Sequence, residues 1–82
     1  MDGFIENIDK LHTTRLGAER VKRNLQIDVG DVALWCRREI LKHSAKMERR
    51  GKNWYITVDG RRFTVNAGSY TIITAHKVAF RQ

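Results

Sequence analysis

The residues best suited to chemistry lie in the second half of this chain, between Lys52 and Lys77. His76 is the natural general acid or base among them, because imidazole is the side chain that exchanges protons most readily near neutral pH. Arg62 and Lys77 supply the positive charge that stabilises a phosphate during its transfer. Cleavage of RNA needs a proton acceptor, cations and an aromatic ring that stacks on a base. The sequence therefore predicts His76, Arg62 and Lys77 as catalytic candidates.

A larger set of residues is suited to binding nucleic acid through rings, hydroxyls and positive charges. The basic segment from Lys46 to Lys52, which includes Arg49 and Arg50, would form a belt that positions phosphates, or a charged guard on a sheet edge. His12 stands apart, between two predicted helices, where it either points to water beside capping threonines or adds a second titrating group. The predicted binding residues are Tyr55, Tyr70, Thr74, Arg61, Lys52, Arg49, Arg50 and His12.

A predicted antiparallel sheet positions most of these residues. Apolar and polar residues alternate in this half of the chain, which predicts strands at 54–58, 61–66 and 70–77. Asp59-Gly60 separates the first two, and this pair is typical of the type I′ turn in which both residues have positive φ. Residues 47–50 are a candidate for a short edge strand in front of them.

The turn sets the register and with it the two faces of the sheet. It places Ile56 opposite Phe63, and a second loop at Ala67-Gly68-Ser69 would place Phe63 opposite Ile73. The face predicted to be buried carries Trp54, Ile56, Val58, Phe63, Val65, Ile73 and Ala75. The face predicted to be open carries Tyr55, Thr57, Arg62, Thr64, Asn66, Tyr70, Thr74 and His76, with Ile72 as its apolar exception.

The first half of the chain has the spacing of amphipathic helices. Apolar residues at intervals of three and four predict helices at 3–11, 14–25 and 31–43, with Asp2, a threonine at 13 or 14, and Asp28 or Asp31 as N-caps. We therefore expect an α+β fold, in which two to three N-terminal helices pack on one face of a three- to four-stranded antiparallel β-meander.

Length and composition set the limits of this interpretation. A chain of 82 residues with 41% hydrophobic residues predicts one folded domain over 1–82. The single cysteine, Cys36, and the acidic N-terminus indicate a cytoplasmic protein with neither a signal peptide nor a membrane span. Cys36 and the three histidines lack the spacing of a zinc site, so neither a metal nor a cofactor is predicted.

The charge is the strongest indication of a partner. Sixteen lysines and arginines against nine acidic residues give a net charge of +7. Such an excess favours an acidic partner, nucleic acid above all.

Several segments resemble a small bacterial family that is known only as a domain of unknown function. They are Leu-His-Thr-Thr at 11–14, residues 17–25 with Glu19-Arg20, residues 32–36, Lys-Asn-Trp-Tyr at 52–55 and Tyr-Thr-Ile-Ile-Thr-Ala-His-Lys at 70–77. The order of helices and sheet is also similar to that of ribonuclease toxins of the RelE type and their colicin relatives. That second resemblance implies RNA cleavage, but it rests on architecture alone.

Two hypotheses about function follow from the sequence. The first is a small basic module that binds RNA or DNA through the open sheet face, with toxin-like RNA cleavage as an added activity. The alternative is a non-catalytic protein-interaction module, such as a phage-type inhibitor of a nucleic-acid enzyme. In either case an edge strand, near Met47 or at 70–77, offers a place for a second copy to pair.

Overall fold

The computed structural model describes residues 3–42 and 44–78. Its helices are α1 (Gly3–Glu6), a 3-10 turn (Ile8–Lys10), α2 (Arg15–Leu25) and α3 (Val32–Ile40). They precede a four-stranded antiparallel sheet of β1 (Lys46–Arg50), β2 (Asn53–Val58), β3 (Arg61–Asn66) and β4 (Ile72–Lys77), in the order β1-β2-β3-β4. This is the α+β fold that the sequence predicts, with the candidate edge strand present as β1. No helix in these two ranges is long and apolar enough to cross a membrane.

Side-chain caps fix the starts of the two longer helices. Thr14 Oγ1 accepts a hydrogen bond from Gly17 N at 3.0 Å, and Asp31 Oδ1 accepts one from Leu34 N at 3.0 Å. Both caps satisfy N–H groups that have no partner within the helix. The prediction that α3 reaches residue 43 is wrong, because the helix ends at Ile40 and the backbone of Lys42 turns more tightly onto Glu39 O. Residue 43 lies outside the described residues.

The predicted first helix is broken into two pieces. α1 ends at Glu6, and the backbone then continues as a 3-10 turn with hydrogen bonds over three residues. Asn7 Nδ2 donates to Gly3 O at 2.9 Å, so its amide competes with the helix for backbone partners. Phe4 is fully buried and anchors this segment in the core. The predicted cap Asp2 lies outside the described residues.

The first hairpin has the predicted register and the second does not. Asp59 and Gly60 have φ of 52° and 75°, and Ile56 lies opposite Phe63. Phe63 lies opposite Ala75 instead of Ile73, and the register shifts between Thr64 and Val65. The connection to β4 is longer than a three-residue loop, and an extra β4 residue bulges out of the pairing.

This bulge and the longer connection overturn three predictions about burial. Ile72 is 1% exposed and lies in the core opposite Val65, whereas Ile73 is only half-buried. Tyr70, with φ of 60°, is 9% exposed and does not reach the open face. Its ring stacks on Phe4, with 5.4 Å between the ring centroids.

The outer edge of β4 is covered at its start. His12 N donates to Tyr70 O at 3.1 Å, and Ile72 N donates to His12 O at 2.8 Å. Helix α2 then lies along the strand, where a Cβ on Gly17 would come within 3.2 Å of Ile72 O. A second copy could pair with this edge only by displacing these contacts. The edge of β1 lacks such a cover in the described part of the chain.

Candidate functional site

The four strands present two faces of opposite character. The face under the helices, here called the covered face, carries Met47, Arg49, Trp54, Ile56, Val58, Arg61, Phe63, Val65, Ile72, Ala75 and Lys77. The other face, called the open face, carries Lys46, Glu48, Arg50, Asn53, Tyr55, Thr57, Arg62, Thr64, Asn66, Thr74 and His76. All members of the open face are exposed or half-buried, so each is accessible to a ligand.

One cross-strand row of the open face concentrates positive charge. Lys46 pairs with Thr57, Thr57 with Arg62, and Arg62 with His76, so the row crosses all four strands. At the usual spacing between strands, this cation row is about 14 Å long. Arg62 and His76 are direct neighbours in it, with Cβ atoms about 5 Å apart. The structure therefore brings two of the three predicted catalytic residues together.

The next row, two residues along the strands and about 7 Å away, carries hydroxyl groups. Tyr55 pairs with Thr64 and Thr64 with Thr74, and Glu48 lies at the outer end beside Tyr55. We call Tyr55, Thr64 and Thr74 the hydroxyl row. The carboxylate of Glu48 is held by Arg50, whose Nε lies 2.9 Å from its Oε2. This hydrogen bond raises the pKa of the Arg50 guanidinium.

The members of the cation row have no partners of their own. The side chains of Lys46, Arg62 and His76 form no hydrogen bond, ion pair or ring contact with the described part of the chain. A cation without a protein partner keeps its full attraction for an external anion. The cation row is therefore the part of the sheet best prepared to bind phosphate.

The cations of the covered face are already engaged. Arg61 Nη1 lies 3.3 Å from Glu39 Oε1, and its guanidinium lies 5.3 Å from the centre of the Trp35 ring. Lys77 Nζ donates to Gln26 Oε1 at the end of α2. Lys77 and Arg61 thus lie on the opposite side of the sheet from His76, so neither joins it in one site.

The predicted phosphate belt is also divided between the faces. Arg49 belongs to the covered face, where its guanidinium lies 5.9 Å from the centre of the Trp54 ring and its Nε donates to Gly51 O. Arg50 belongs to the open face but is paired with Glu48. Lys52 is exposed in the turn between β1 and β2. These three residues do not form one surface.

His12 lies at the β4 edge and takes no part in the open face. Its Nδ1 lies 2.9 Å from Lys10 O, and its Nε2 lies 3.1 Å from Thr71 Oγ1. A carbonyl oxygen only accepts, so Nδ1 carries a proton. Both ring nitrogens have partners, and the histidine fixes the connection that leads into β4.

Helix α2 extends the open face in a way that sequence reasoning missed. Asn24 Nδ2 donates to Thr74 Oγ1 at 3.3 Å, and Arg20 Nη1 donates to Ile73 O at 3.1 Å. Both residues flank the buried stripe of α2 at helical spacing, which is the signal that could have identified them. Lys46 was predicted only as part of a basic segment, and its place in the cation row follows from the register of β1.

Two ionisable groups outside the open face have structural roles. Lys42 donates a hydrogen bond to the Asp59 carboxylate and lowers the pKa of that carboxyl. This ion pair ties the residues that follow α3 to the turn between β2 and β3. Burial, with the nearby charge of Glu39, raises the pKa of the Cys36 thiol to about 12. Cys36 therefore packs as an apolar core residue. Residues 3–42 and 44–78 contain no group of three metal-ligating side chains.

The spacing of side chains on the open face favours ligand binding over catalysis that needs both a general acid and a general base. Besides His76, the nearest proton-exchanging side chain on the open face is Tyr55, two strands away and one row along. At sheet spacing these residues are about 12 Å apart, which is too far to act on one phosphate ester without rearrangement.

Comparison with known proteins gives a family but no activity. The sequence model of a family described as "Protein of unknown function (DUF3781)" matches residues 5–76. No curated protein and no solved structure matches the chain. The resemblance to ribonuclease toxins therefore gains no support from these comparisons.

Proposed function

We propose that this protein, which belongs to the DUF3781 family, is a small nucleic-acid-binding module whose ligand lies on the open face of the sheet. The observation that carries the proposal is the cation row. Lys46, Arg62 and His76 share one row and one face, and none has a partner in the described part of the chain. Elsewhere on the sheet, the cations of the covered face are held by neighbours.

Charge and shape favour a polyanion over a small anion. The chain carries +7 overall, which attracts polyphosphates from a distance. The cation row crosses all four strands, so it suits successive phosphates better than one isolated group. Tyr55 lies one row away, where its ring is available to a base that has left a stack. These features together favour a single strand.

Salt dependence tests the electrostatic part of this proposal. Binding of a fluorescent single-stranded oligonucleotide is followed by anisotropy as the salt concentration rises. Two phosphate contacts, from Lys46 and Arg62, predict that the affinity falls about sevenfold between about 50 and 200 mM salt. An affinity that does not change over this range would refute binding through the cation row.

A matched pair of double variants separates the cation row from net charge. Lys46→Gln with Arg62→Gln removes two row cations, while Arg37→Gln with Arg38→Gln removes two from α3, across the sheet from the open face. We expect the first pair to weaken binding at least about tenfold and to reduce the salt slope by about 1.4. The second pair should stay close to the wild type. Equal losses would assign binding to net charge alone.

Cleavage of RNA is an added activity that the pairing of Arg62 with His76 favours. Where one 2′-OH lies within hydrogen-bond reach of His76, outside the hydroxyl row, the imidazole would take its proton as the oxygen attacks the adjacent phosphorus, the bond to the 5′ oxygen would break, and water would protonate the leaving group. His76→Ala should abolish cleavage, measured on denaturing gels, while the thermal unfolding midpoint stays unchanged. Cleavage that survives His76→Ala would exclude His76 as the base.

A protein-interaction module remains the second candidate because of two leucines, one in α3 and one directly after it. Leu34 and Leu41, seven residues apart, are 40% and 49% exposed, and Arg37 and Arg38 lie between them. A cleft of about 170 Å³ beside Leu34 offers room for an apolar side chain. A stoichiometric partner recovered from nuclease-treated lysate by the wild type, but not by Leu34→Asp, would favour this candidate.

A further inference from the structure

We infer that the strand bound on the open face is RNA, and that the hydroxyl row recognises its 2′-OH groups. The inference rests on the proposed function, since it concerns which nucleic acid occupies the same face. Its evidence is independent of the charges in the cation row. It is the unused hydrogen-bonding capacity of Tyr55, Thr64 and Thr74.

The hydroxyl row has donors and acceptors to spare. The Thr64 hydroxyl has no hydrogen-bond partner in the described part of the chain. Thr74 Oγ1 accepts from Asn24 Nδ2 at 3.3 Å, and Tyr55 Oη accepts from Asn53 Nδ2 at 3.5 Å. An accepting hydroxyl can still donate its own proton. Each of the three side chains can therefore donate to a ligand, and Thr64 can also accept.

The distance between the two rows suits one nucleotide strand lying across the sheet. The rows run parallel, with the hydroxyl row about 7 Å from the cation row. A strand whose phosphates lie over Lys46, Arg62 and His76 would place its sugars over the hydroxyl row, with Tyr55 beside a base. The 2′-OH is both donor and acceptor, so it matches the free groups of Thr64 and Thr74.

The same surface disfavours DNA for a physical reason. Thr64 and Thr74 are half-buried already, and a strand above them would remove the rest of their water. RNA replaces that water with 2′-OH groups, whereas DNA leaves the covered hydroxyls without partners, which is costly. The cation row contacts phosphates of either polymer equally. The preference for RNA should thus come from the hydroxyl row alone.

The test compares two strands that differ only in the 2′-OH. The probes are a fluorescein-labelled RNA of about 12 nucleotides and a DNA of the same sequence in which deoxyuridine replaces thymidine. We expect the RNA to bind about tenfold more tightly, as judged by anisotropy with RNA integrity checked on a denaturing gel. Equal affinities would overturn the inference while leaving the proposed function intact. Failure of both probes to bind would instead overturn the proposed function.

Variants at Thr64 assign the preference to the hydroxyl row. Thr64→Val removes the hydroxyl and keeps the β-branched shape, so it should bring the two affinities together: RNA loses a hydrogen-bond partner, and DNA no longer covers an unpaired hydroxyl at this position. Thr64→Ser retains the hydroxyl and should preserve the preference. Thr74→Val gives a second readout if Thr64→Val alters the circular dichroism spectrum. An RNA preference that survives both valine variants would overturn the inference.

Discussion

The two faces of one sheet use their cations in opposite ways. Arg61 and Arg62 are neighbours in β3, as are His76 and Lys77 in β4, and alternation sends one member of each pair to each face. On the covered face, Arg61 meets Glu39 and Trp35, and Lys77 meets Gln26. On the open face, Arg62 and His76 have no partner in the described part of the chain.

Because of this difference, residues that are adjacent in sequence should contribute to different properties, one to stability and the other to binding. Arg61, half-buried on the covered face, is partly dehydrated and needs its neighbours, so it contributes to the fold. An open cation contributes little to stability and keeps its charge for a ligand. Substitution of a residue on the covered face should therefore reduce stability, whereas substitution of its neighbour on the open face should reduce binding.

The largest contrast is expected for the neighbours Phe63 and Thr64. Phe63 is fully buried on the covered face, so Phe63→Ala should lower the free energy of unfolding by about 3–5 kcal/mol. Thr64→Ala on the open face should change it by less than about 1 kcal/mol. Chemical denaturation monitored by circular dichroism measures both, and comparable losses would contradict the assignment of the two faces.

A second contrast concerns the carboxylates Glu39 and Glu48. Glu39, 12% exposed, holds the partly buried Arg61, so Glu39→Gln should reduce stability by about 1–2 kcal/mol without affecting nucleic-acid binding. Glu48 lies on the open face, where it would repel the proposed ligand, so Glu48→Gln should leave stability unchanged and tighten binding a few-fold. Denaturation and anisotropy on both variants check this. Weaker binding by Glu48→Gln would place the ligand elsewhere.

The smallest contrast is in thiol reactivity. Burial raises the pKa of Cys36 to about 12, so this thiol stays protonated and should resist iodoacetamide at about pH 8 in the folded protein. Above the ordinary thiol pKa of 9.0 the unfolded state ionises first, so stability should fall as the pH rises further.

A cysteine introduced on the open face is the matched comparison for Cys36. The thiol of a Thr57→Cys variant, between Lys46 and Arg62, should react readily, and bound RNA should slow the reaction. Mass spectrometry reports both sites in one sample. Unchanged labelling of the introduced thiol under saturating RNA would argue against occupancy of the cation row.

The sequence predicts those parts of the fold that local signals determine. Asp59-Gly60 identifies the first hairpin and its register, because few residue pairs accept two positive φ angles. Capping residues narrow each helix start to two candidates, and the structure selects Thr14 over Thr13 and Asp31 over Asp28. Alternation alone places four residues on the open face, namely Tyr55, Arg62, Thr74 and His76. The register of the second hairpin differs from the predicted one by two residues, and a shift of two leaves each side chain on the same face.

The remaining features depend on contacts between distant residues. The burial of Tyr70 comes from stacking on Phe4, which lies at the other end of the chain. His12 pairs with β4, and Arg61 pairs with Glu39 twenty-two residues away. Whether a cation is engaged or available depends on such neighbours, and neither periodicity nor composition reports them.

The most direct test compares Arg61→Gln with Arg62→Gln, since both remove one arginine from adjacent positions of β3. We predict that Arg62→Gln weakens RNA binding by about fivefold to tenfold with unchanged stability. Arg61→Gln should lower the thermal unfolding midpoint and leave the affinity of the folded protein unchanged. Equal losses of affinity in the two variants, or a greater loss in Arg61→Gln, would contradict the claim that the open face binds the ligand.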